Sequence, residues 1–357
     1  MKTVRFENKG NRNFATALRK NINGFFKDKE LSTKGDWRMM VKTAVMLSIY
    51  LAPFFMLLLF PLSAWMIFPL AVVAGLGMAG TGMSVMHDAA HDSFSHRRWL
   101  NKLLSGTMYL IGGNVFTWKV QHNVLHHTYT NIAGYDEDIK TKTVIRLSKH
   151  APLRKFHRFQ HIYGPFFYSL MTLSKLFGDF RQLWIYNKTG ITVKQNSKPT
   201  SEFIKLIVTK AAYLVLAIGL ILFFTNHSWW IVLLGFLVMH LTAGFILSVI
   251  FQMAHIVEDA HQPVPDEHGT VENEWAIHEL NTTVNFSTGN RFLTWVTGGL
   301  NYQIEHHLFP NICHMHYRKI SPIVERTAIE FGLNYNRNAT FISAIRSHIR
   351  TLKMLGR

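Results

Sequence analysis

Two long stretches without formal charge decide what this chain can fold into. No Asp, Glu, Lys or Arg occurs from Thr43 to Met86, 44 residues, or from Ala211 to Met253, 43 residues. A helix needs roughly 20 apolar residues to cross a ~30 Å hydrocarbon core, so each stretch holds two crossings joined by a tight turn. The turns are visible too. Phe60-Pro61-Leu62-Ser63 interrupts the first stretch; Thr225-Asn226-His227-Ser228, followed by the interface-seeking pair Trp229-Trp230, interrupts the second. The expected spans are 43–60, 64–86, 206–225 and 229–252. This is the pattern of an all-α integral membrane protein with four transmembrane helices in two hairpins.

A formal charge of +17 on 357 residues would ordinarily suggest nucleic acid, but its distribution says otherwise. Of the 38 lysines and arginines, 11 precede the first span, 18 lie between Arg97 and Lys210, and 9 follow Met253; neither hairpin turn carries one. The positive-inside rule therefore places both termini and the long middle segment in the cytosol. The excess charge is explained by topology and attraction to anionic lipid, with no nucleic-acid partner. The first 42 residues lack the apolar core of a signal peptide. Within them, Phe14 to Phe26 has the spacing of an amphipathic helix, which suits either a membrane surface or ordinary packing. The lone Cys313 excludes an intrachain disulfide and a cysteine-rich zinc site.

No repeat or Pro/Gly/Ser-rich linker divides the chain. A single domain over 1–357 is expected: an arm (1–42), a first hairpin (43–86), a cap segment (87–205), a second hairpin (206–253) and a C-terminal part (254–357). The segments outside the hairpins are too large for loops and should form a helical cytosolic cap resting on the membrane face.

The chemistry is written in the histidines. His87-Asp88-Ala89-Ala90-His91 directly follows the second span, and its i, i+4 spacing puts both imidazoles on one helix face. In His122-Asn123-Val124-Leu125-His126-His127, the same spacing pairs His122 with His126, while His127 is turned about 100° away and reaches toward a neighbouring ion. Gln303-Ile304-Glu305-His306-His307 adds two more, and His255 sits just beyond the fourth span. Three clusters on one membrane face read as a metal site. Neutral imidazoles suit iron, copper, nickel or zinc, and their number exceeds what one ion accepts, which implies two. Ten of the twelve remaining histidines, His96, His150, His157, His161, His227, His240, His268, His314, His316 and His348, are read as ordinary hydrogen-bonded residues.

Other metal chemistries fit poorly. The soluble di-iron carboxylate proteins need paired Glu-x-x-His motifs, and this chain has only Glu258 to His261. His278-Glu279 is not followed by the second histidine of a metalloprotease helix. A transporter would place polar groups near the bilayer midplane, where only His240 is a candidate.

The three boxes resemble those of the membrane fatty-acid desaturases: His-Asp-Ala-Ala-His, His-x-x-x-His-His and Gln-x-x-His-His. The likeness extends to Thr-Asn-Ile-Ala-Gly-Tyr-Asp-Glu-Asp after the second box and to His-His-Leu-Phe-Pro at the third, and covers essentially residues 40–320. It implies a non-haem di-iron enzyme that uses O2 and two electrons to remove two hydrogens from an unactivated acyl chain, held as a lipid or as acyl-CoA. An aliphatic C–H bond has no acidic proton, so a metal-bound oxidant is the chemistry required. By the match, His87, His91, His122, His126, His127, His306 and His307 are expected metal ligands, with His255 as the eighth. Gln303 stands where many relatives have histidine, which is similar to the front-end subgroup that desaturates between an existing double bond and the carboxyl end.

The resemblance has consequences and departures. Front-end enzymes often carry a fused haem domain with a His-Pro-Gly-Gly signature; none occurs here, so a separate ferredoxin-like or haem donor with its reductase is expected. The expected location is the bacterial inner membrane rather than the endoplasmic reticulum. Some acyl-CoA desaturases place an Asn four residues before the isolated histidine, where this chain has Phe251, which leaves the role to Gln252 or Gln303. Asp88 and Asp92, with Asp136, Glu137 and Asp138, are candidates to accept ring N–H groups of ligand histidines, or are solvated acids. Gly75, Gly77, Gly80 and Gly82 suggest close helix packing more than an acyl-tunnel wall. Arg97, Arg98, Lys119 and Arg154 are candidates for a coenzyme A or phospholipid headgroup. Two other readings stay open: a membrane hydroxylase or ketolase of an alkane, sterol or carotenoid, and a non-catalytic metal-binding membrane protein.

Overall fold

The computed structural model describes residues 4–7, 13–140 and 144–357. A short strand, β1 (Arg5–Glu7), precedes helix α1 (Phe14–Asp28) and the first span, α2 (Trp37–Leu59). Asp36 caps α2 by accepting from the Arg38 backbone N–H at 2.8 Å. The chain leaves this helix in extended conformation at Phe60, before Pro61, which cannot donate to continue it. The second span, α3, runs Ala64–Ala90.

Helix α3 is the inner member of the first hairpin. Its most apolar window is 67% buried, against 28–39% for the other three spans. Small residues explain how it fits between its neighbours. A Cβ on Gly77 would lie 2.3 Å from the Tyr50 backbone nitrogen of α2, one on Gly75 would lie 2.7 Å from the Met239 carbonyl, and one on Gly80 would meet Met46. Gly82 has only ordinary contacts. The glycines therefore serve helix packing. Gly77→Ala is expected to cost about 1–3 kcal/mol because backbone atoms must move apart; thermal unfolding in detergent measures it, and an unchanged midpoint would contradict this packing.

The second hairpin is α8 (Pro199–Phe224) and α9 (Trp229–His255), with α4 (Arg98–Ser105), α5 (Val115–Trp118, π-helical over Lys119–His126, then His127–Tyr129), α6 (Gln160–Ser169) and α7 (Met171–Lys188) between the hairpins. All four spans occur where expected, and all are longer on the histidine side or at the cap end than the apolar run. The extra turns are helical for reasons hydropathy does not register. The outward faces are apolar, with Phe55, Leu59, Leu76, Phe223 and Phe224 exposed, as a lipid solvent allows.

The C-terminal part holds β2 (Thr270–Glu272), α10 (Trp275–Thr282), β3 (Asn285–Phe286), α11 (Gln303–Leu308), α12 (Tyr317–Glu330), β4 (Arg337–Asn338) and α13 (Phe341–Leu355). Strand β1 pairs in parallel with β2, and β3 with β4. Helix α1 is packed, not spread on the membrane: Phe14, Leu18, Ile22 and Phe26 form one cluster with Ile277, Ile320 and Val324. Its four-residue apolar period fits this cap core, and the opposite face is wet.

The cap does more than rest on the helix ends. The α6–α7 pair descends beside α9: the Ser248 hydroxyl donates to the Tyr168 carbonyl at 3.1 Å, and Thr172 donates to the His240 carbonyl at 2.9 Å. His240 lies fifteen residues before His255, about 22 Å along the helix axis. The imidazole of His240 is fixed there by the Tyr213 and Thr172 hydroxyls at 2.7 and 3.0 Å. Helix α7 then returns to the second box, where Asp179 accepts from Thr117 at 2.9 Å and from Lys210 at 2.7 Å.

Candidate metal centre

Four segments deliver imidazoles to one buried place. The first box ends α3: a π-helical turn over Thr81–Met86 leads into His87–Ala90, and the helix closes with the His91 N–H donating to the His87 carbonyl at 3.1 Å. The two rings are 4.8 Å apart, as the i, i+4 spacing predicts. Asp92 stops the helix with φ +55°. The second box lies in the π-helical part of α5, the third in α11, and His255 is the last residue of α9.

The grouping is specific. His87, His91, His122 and His306 each place a ring nitrogen within 4.8 Å of the others; His126, His255 and His307 form a second such group, and His127 with His306 and His307 a third. All eight sequence-derived ligand candidates are thus brought together. His122 and His126 keep neighbouring rings, 5.2 Å apart and nearly parallel, and with Asp138 they form a further such group, as their expected shared face requires.

Whether these residues suit metal ions is decided by their unpaired atoms. Nε2 of His91, His126, His306 and His307 and both ring nitrogens of His127 and His255 are buried with no hydrogen-bond partner. Unpaired buried polar atoms are costly, and here they converge. A cation satisfies them together, and an all-imidazole set matches a borderline-soft transition metal.

Outward-facing nitrogens explain how the rings are aimed. His122 Nδ1 lies 3.1 Å from Asp138, His126 Nδ1 3.0 Å from Asp136, His307 Nδ1 2.7 Å from Glu279, and His306 Nδ1 3.3 Å from the Tyr317 hydroxyl. A carboxylate accepts only, so Asp138, Asp136 and Glu279 each fix the proton on Nδ1 of their histidine and leave Nε2 to face inward. Asp136 is itself held by the backbone N–H groups of Asn131 and Asp138 at 2.8 and 2.9 Å. Asn131, with φ +59°, also donates to the His255 carbonyl at 2.9 Å, tying the loop after the second box to the end of α9.

Burial pushes His91, His127, His306 and His307 well below the usual imidazole range, reinforced by their neighbours, and brings His122 down to about 3. These rings are neutral and available as ligands. His126 is the exception: burial opposes its charge, but Asp136 and Asp138 overcome this and hold it up to about 9.

The remaining candidates divide. Asp88 is buried beside His87, but its nearest oxygen is 3.9 Å from His87 Nδ1, and it bonds to His314 instead. Asp92 makes no carboxylate hydrogen bond to an imidazole among the described residues; its carbonyl accepts from Lys34 at 2.8 Å. Glu137 faces Gln182 and Tyr186, away from the ligand rings. Gln303 is buried at the start of α11 with its amide oxygen unpaired, and Gln252 has the same property. Phe251 packs against His126 and His255, with ring centroids 5.2 and 4.6 Å away. Of the basic candidates, Lys119 lies near enough to the first box to help lower the pKa of the His91 imidazole. Trp118, tilted over His122 with ring centroids 4.5 Å apart, and Tyr317 are absent from the sequence reading, and Glu279 enters it only as part of a failed protease motif. Among the histidines set aside, His348 bonds Tyr168 and His96 bonds Ser32, as ordinary residues do.

The model of the family described as fatty acid desaturase matches residues 63–339. The chain belongs to the fatty acid desaturase family. The desaturase is 32% identical to an sn-1 linoleoyl-lipid 6-desaturase of Arthrospira platensis, over 96% of this chain and 92% of that protein. It is 33% identical to the protein of the same description from Synechocystis, over 97% and 96%. A third relative, an acyl-lipid (8-3)-desaturase of Physcomitrium patens, is 32% identical over 99% of this chain and 74% of its own length. The desaturase is thus a membrane oxidoreductase of fatty acyl chains, with histidine clusters that suit a metal centre.

Proposed function

We propose that this desaturase is a front-end enzyme that introduces a cis double bond at carbon 6 of a linoleoyl chain carried on a glycerolipid, with two iron ions held by His87, His91, His122, His126, His127, His255, His306 and His307. The observation that carries this reading is the convergence of eight imidazoles, seven of them buried and most with an unpaired nitrogen, beside the ends of two apolar membrane-length helices. The two 6-desaturase relatives, each matched over nearly its whole length, support the position and the lipid carrier.

When bound, the iron pair supplies an oxidant able to take hydrogen from an unactivated methylene. The chain's own residues do the rest. Asp136, Asp138 and Glu279 hold the protons of three imidazoles on the outward nitrogen, so the inward lone pairs stay in place. Trp118 and Phe251 cover ring faces and limit water at the ligands. Further parts of the proposal are a single working domain, both termini on the cytosolic side, a bacterial inner membrane, O2 as co-substrate, and electrons from a separate ferredoxin-like or haem protein with its reductase.

Expression in a host lacking polyunsaturates, fed linoleate, with double-bond mapping by mass spectrometry, tests the reading. A new cis double bond at carbon 6 is the expected result. A hydroxylated product would move the enzyme to the hydroxylases. Gln303 gives a second check within the same assay: Gln303→Ala should lose most activity, about 10–100-fold, whereas Gln303→His keeps part of it because imidazole reaches the same position. Full activity and metal content in the alanine variant would make Gln303 a bystander.

A further inference from the structure

Outside the eight imidazoles, one buried polar cluster has no part in the mechanism above. Lys42, in the first turns of α2, is 3% exposed. Its Nζ lies 2.8 Å from His314 Nε2, and His314 Nδ1 lies 2.8 Å from Asp88 Oδ2. The Cys313 thiol and the His314 backbone N–H also donate to that oxygen, at 3.2 and 3.3 Å. An ammonium can only donate and a carboxylate can only accept, so the protons are assigned: Lys42 donates to Nε2, and Nδ1–H donates to Asp88. The chain is a buried ion pair bridged by one neutral imidazole. The trio Asp88, Cys313 and His314 has the proximity of a metal site, but the Lys42 ammonium already supplies its cation.

Its position gives the cluster a purpose. Asp88 follows His87 directly; Cys313 and His314 come shortly after His306 and His307; Lys42 belongs to α2, one of the two spans that contribute no imidazole. The other free oxygen of Asp88 faces His87 Nδ1 at 3.9 Å. Asp88 is thus saturated on one oxygen, while the other stands beside the ring of His87, a candidate ligand, at an electrostatic distance longer than a hydrogen bond. Removing either end would leave a charge buried without its counter-charge, which proteins avoid by rearranging.

We infer that Lys42, His314 and Asp88 form a positioning chain that locks α2 and the third-box loop to the first box and holds His87 in its ligating orientation. This rests on the reading of the eight imidazoles as a metal centre, and no residue of the chain needs to touch metal or substrate. Glutamine in place of His314 can do the same work, since its oxygen accepts from Lys42 and its NH2 donates to Asp88, whereas phenylalanine fills the space and does neither.

The test is metal affinity of the folded, detergent-purified protein, measured by competition with a chelator for Fe(II), with thermal unfolding of the metal-free form in parallel. His314→Phe and Lys42→Met are expected to weaken binding by about 10–100-fold, while His314→Gln stays within about threefold of the parent. Rescue by glutamine is the signature that simple packing would not produce. Parent-like affinity in folded His314→Phe would overturn the inference, as would glutamine behaving like phenylalanine. Should His314→Phe fail to fold, Lys42→Met and the glutamine variant decide by the same criterion. A parent protein that binds no iron would overturn the metal centre and the inference with it, so the two failures are distinguishable.

Discussion

Replacing His126 by alanine is expected to abolish turnover and to remove most of the metal while leaving the helices in place. His126 belongs with His255 and His307 to one group and with His122 and Asp138 to another, its ring lying 5.2 Å from that of His122. No nearby side chain can replace its Nε2. The fold tolerates the change because Asp136, the partner of the lost ring, keeps the Asn131 and Asp138 backbone donors. An effect of at least about 100-fold is anticipated, beyond that of losing an outer partner alone. Metal analysis, product formation and circular dichroism on the same preparation check it, and full activity would falsify the central assignment.

Glu279→Ala is the second large effect, expected to weaken metal binding and turnover by about 10–100-fold. Glu279 is completely buried and holds His307 Nδ1 at 2.7 Å, with the Thr130 hydroxyl equally close. Without it the His307 proton loses its acceptor, and the ring can turn or change tautomer. Glu279→Gln keeps an oxygen at the same place and should retain most of the metal. Measuring both variants separates orientation of the ring from charge: a glutamine variant as impaired as alanine would show that the negative charge, not the acceptor, matters.

Spans and boxes were legible because each obeys a local rule. Charge-free length marks a crossing, and closely spaced histidines at helix ends mark ligand candidates. His255 was reached through its place after the fourth span together with the family likeness. Glu279 was not reached: His278-Glu279 drew notice only as a failed protease motif, and its partner is His307, 28 residues away. Nothing local announces such a pairing. Of the run Asp136-Glu137-Asp138, alternate residues face the histidines and the middle one faces Tyr186, an alternation that depends on the loop's path. Asp88 was noticed for the right reason and the wrong partner, since His314 outcompetes the adjacent His87. The π-helical turns were invisible, because they answer to neighbouring helices more than to propensity. The descent of α6 and α7 was hidden for a similar reason: their sequence is too polar to count as a span, and α9 and α8 shield it.

The ligand candidates come from residues 87 to 307, so every transmembrane helix must be inserted before the last imidazole arrives. A ribosome-bound or truncated chain holds at most a fraction of the set. Because metal binding is coupled to the folded arrangement, the metal content of a preparation becomes a gauge of how many molecules have completed assembly. Under-loaded enzyme then reports faulty biogenesis as readily as metal starvation, and adding the metal back tells the two apart.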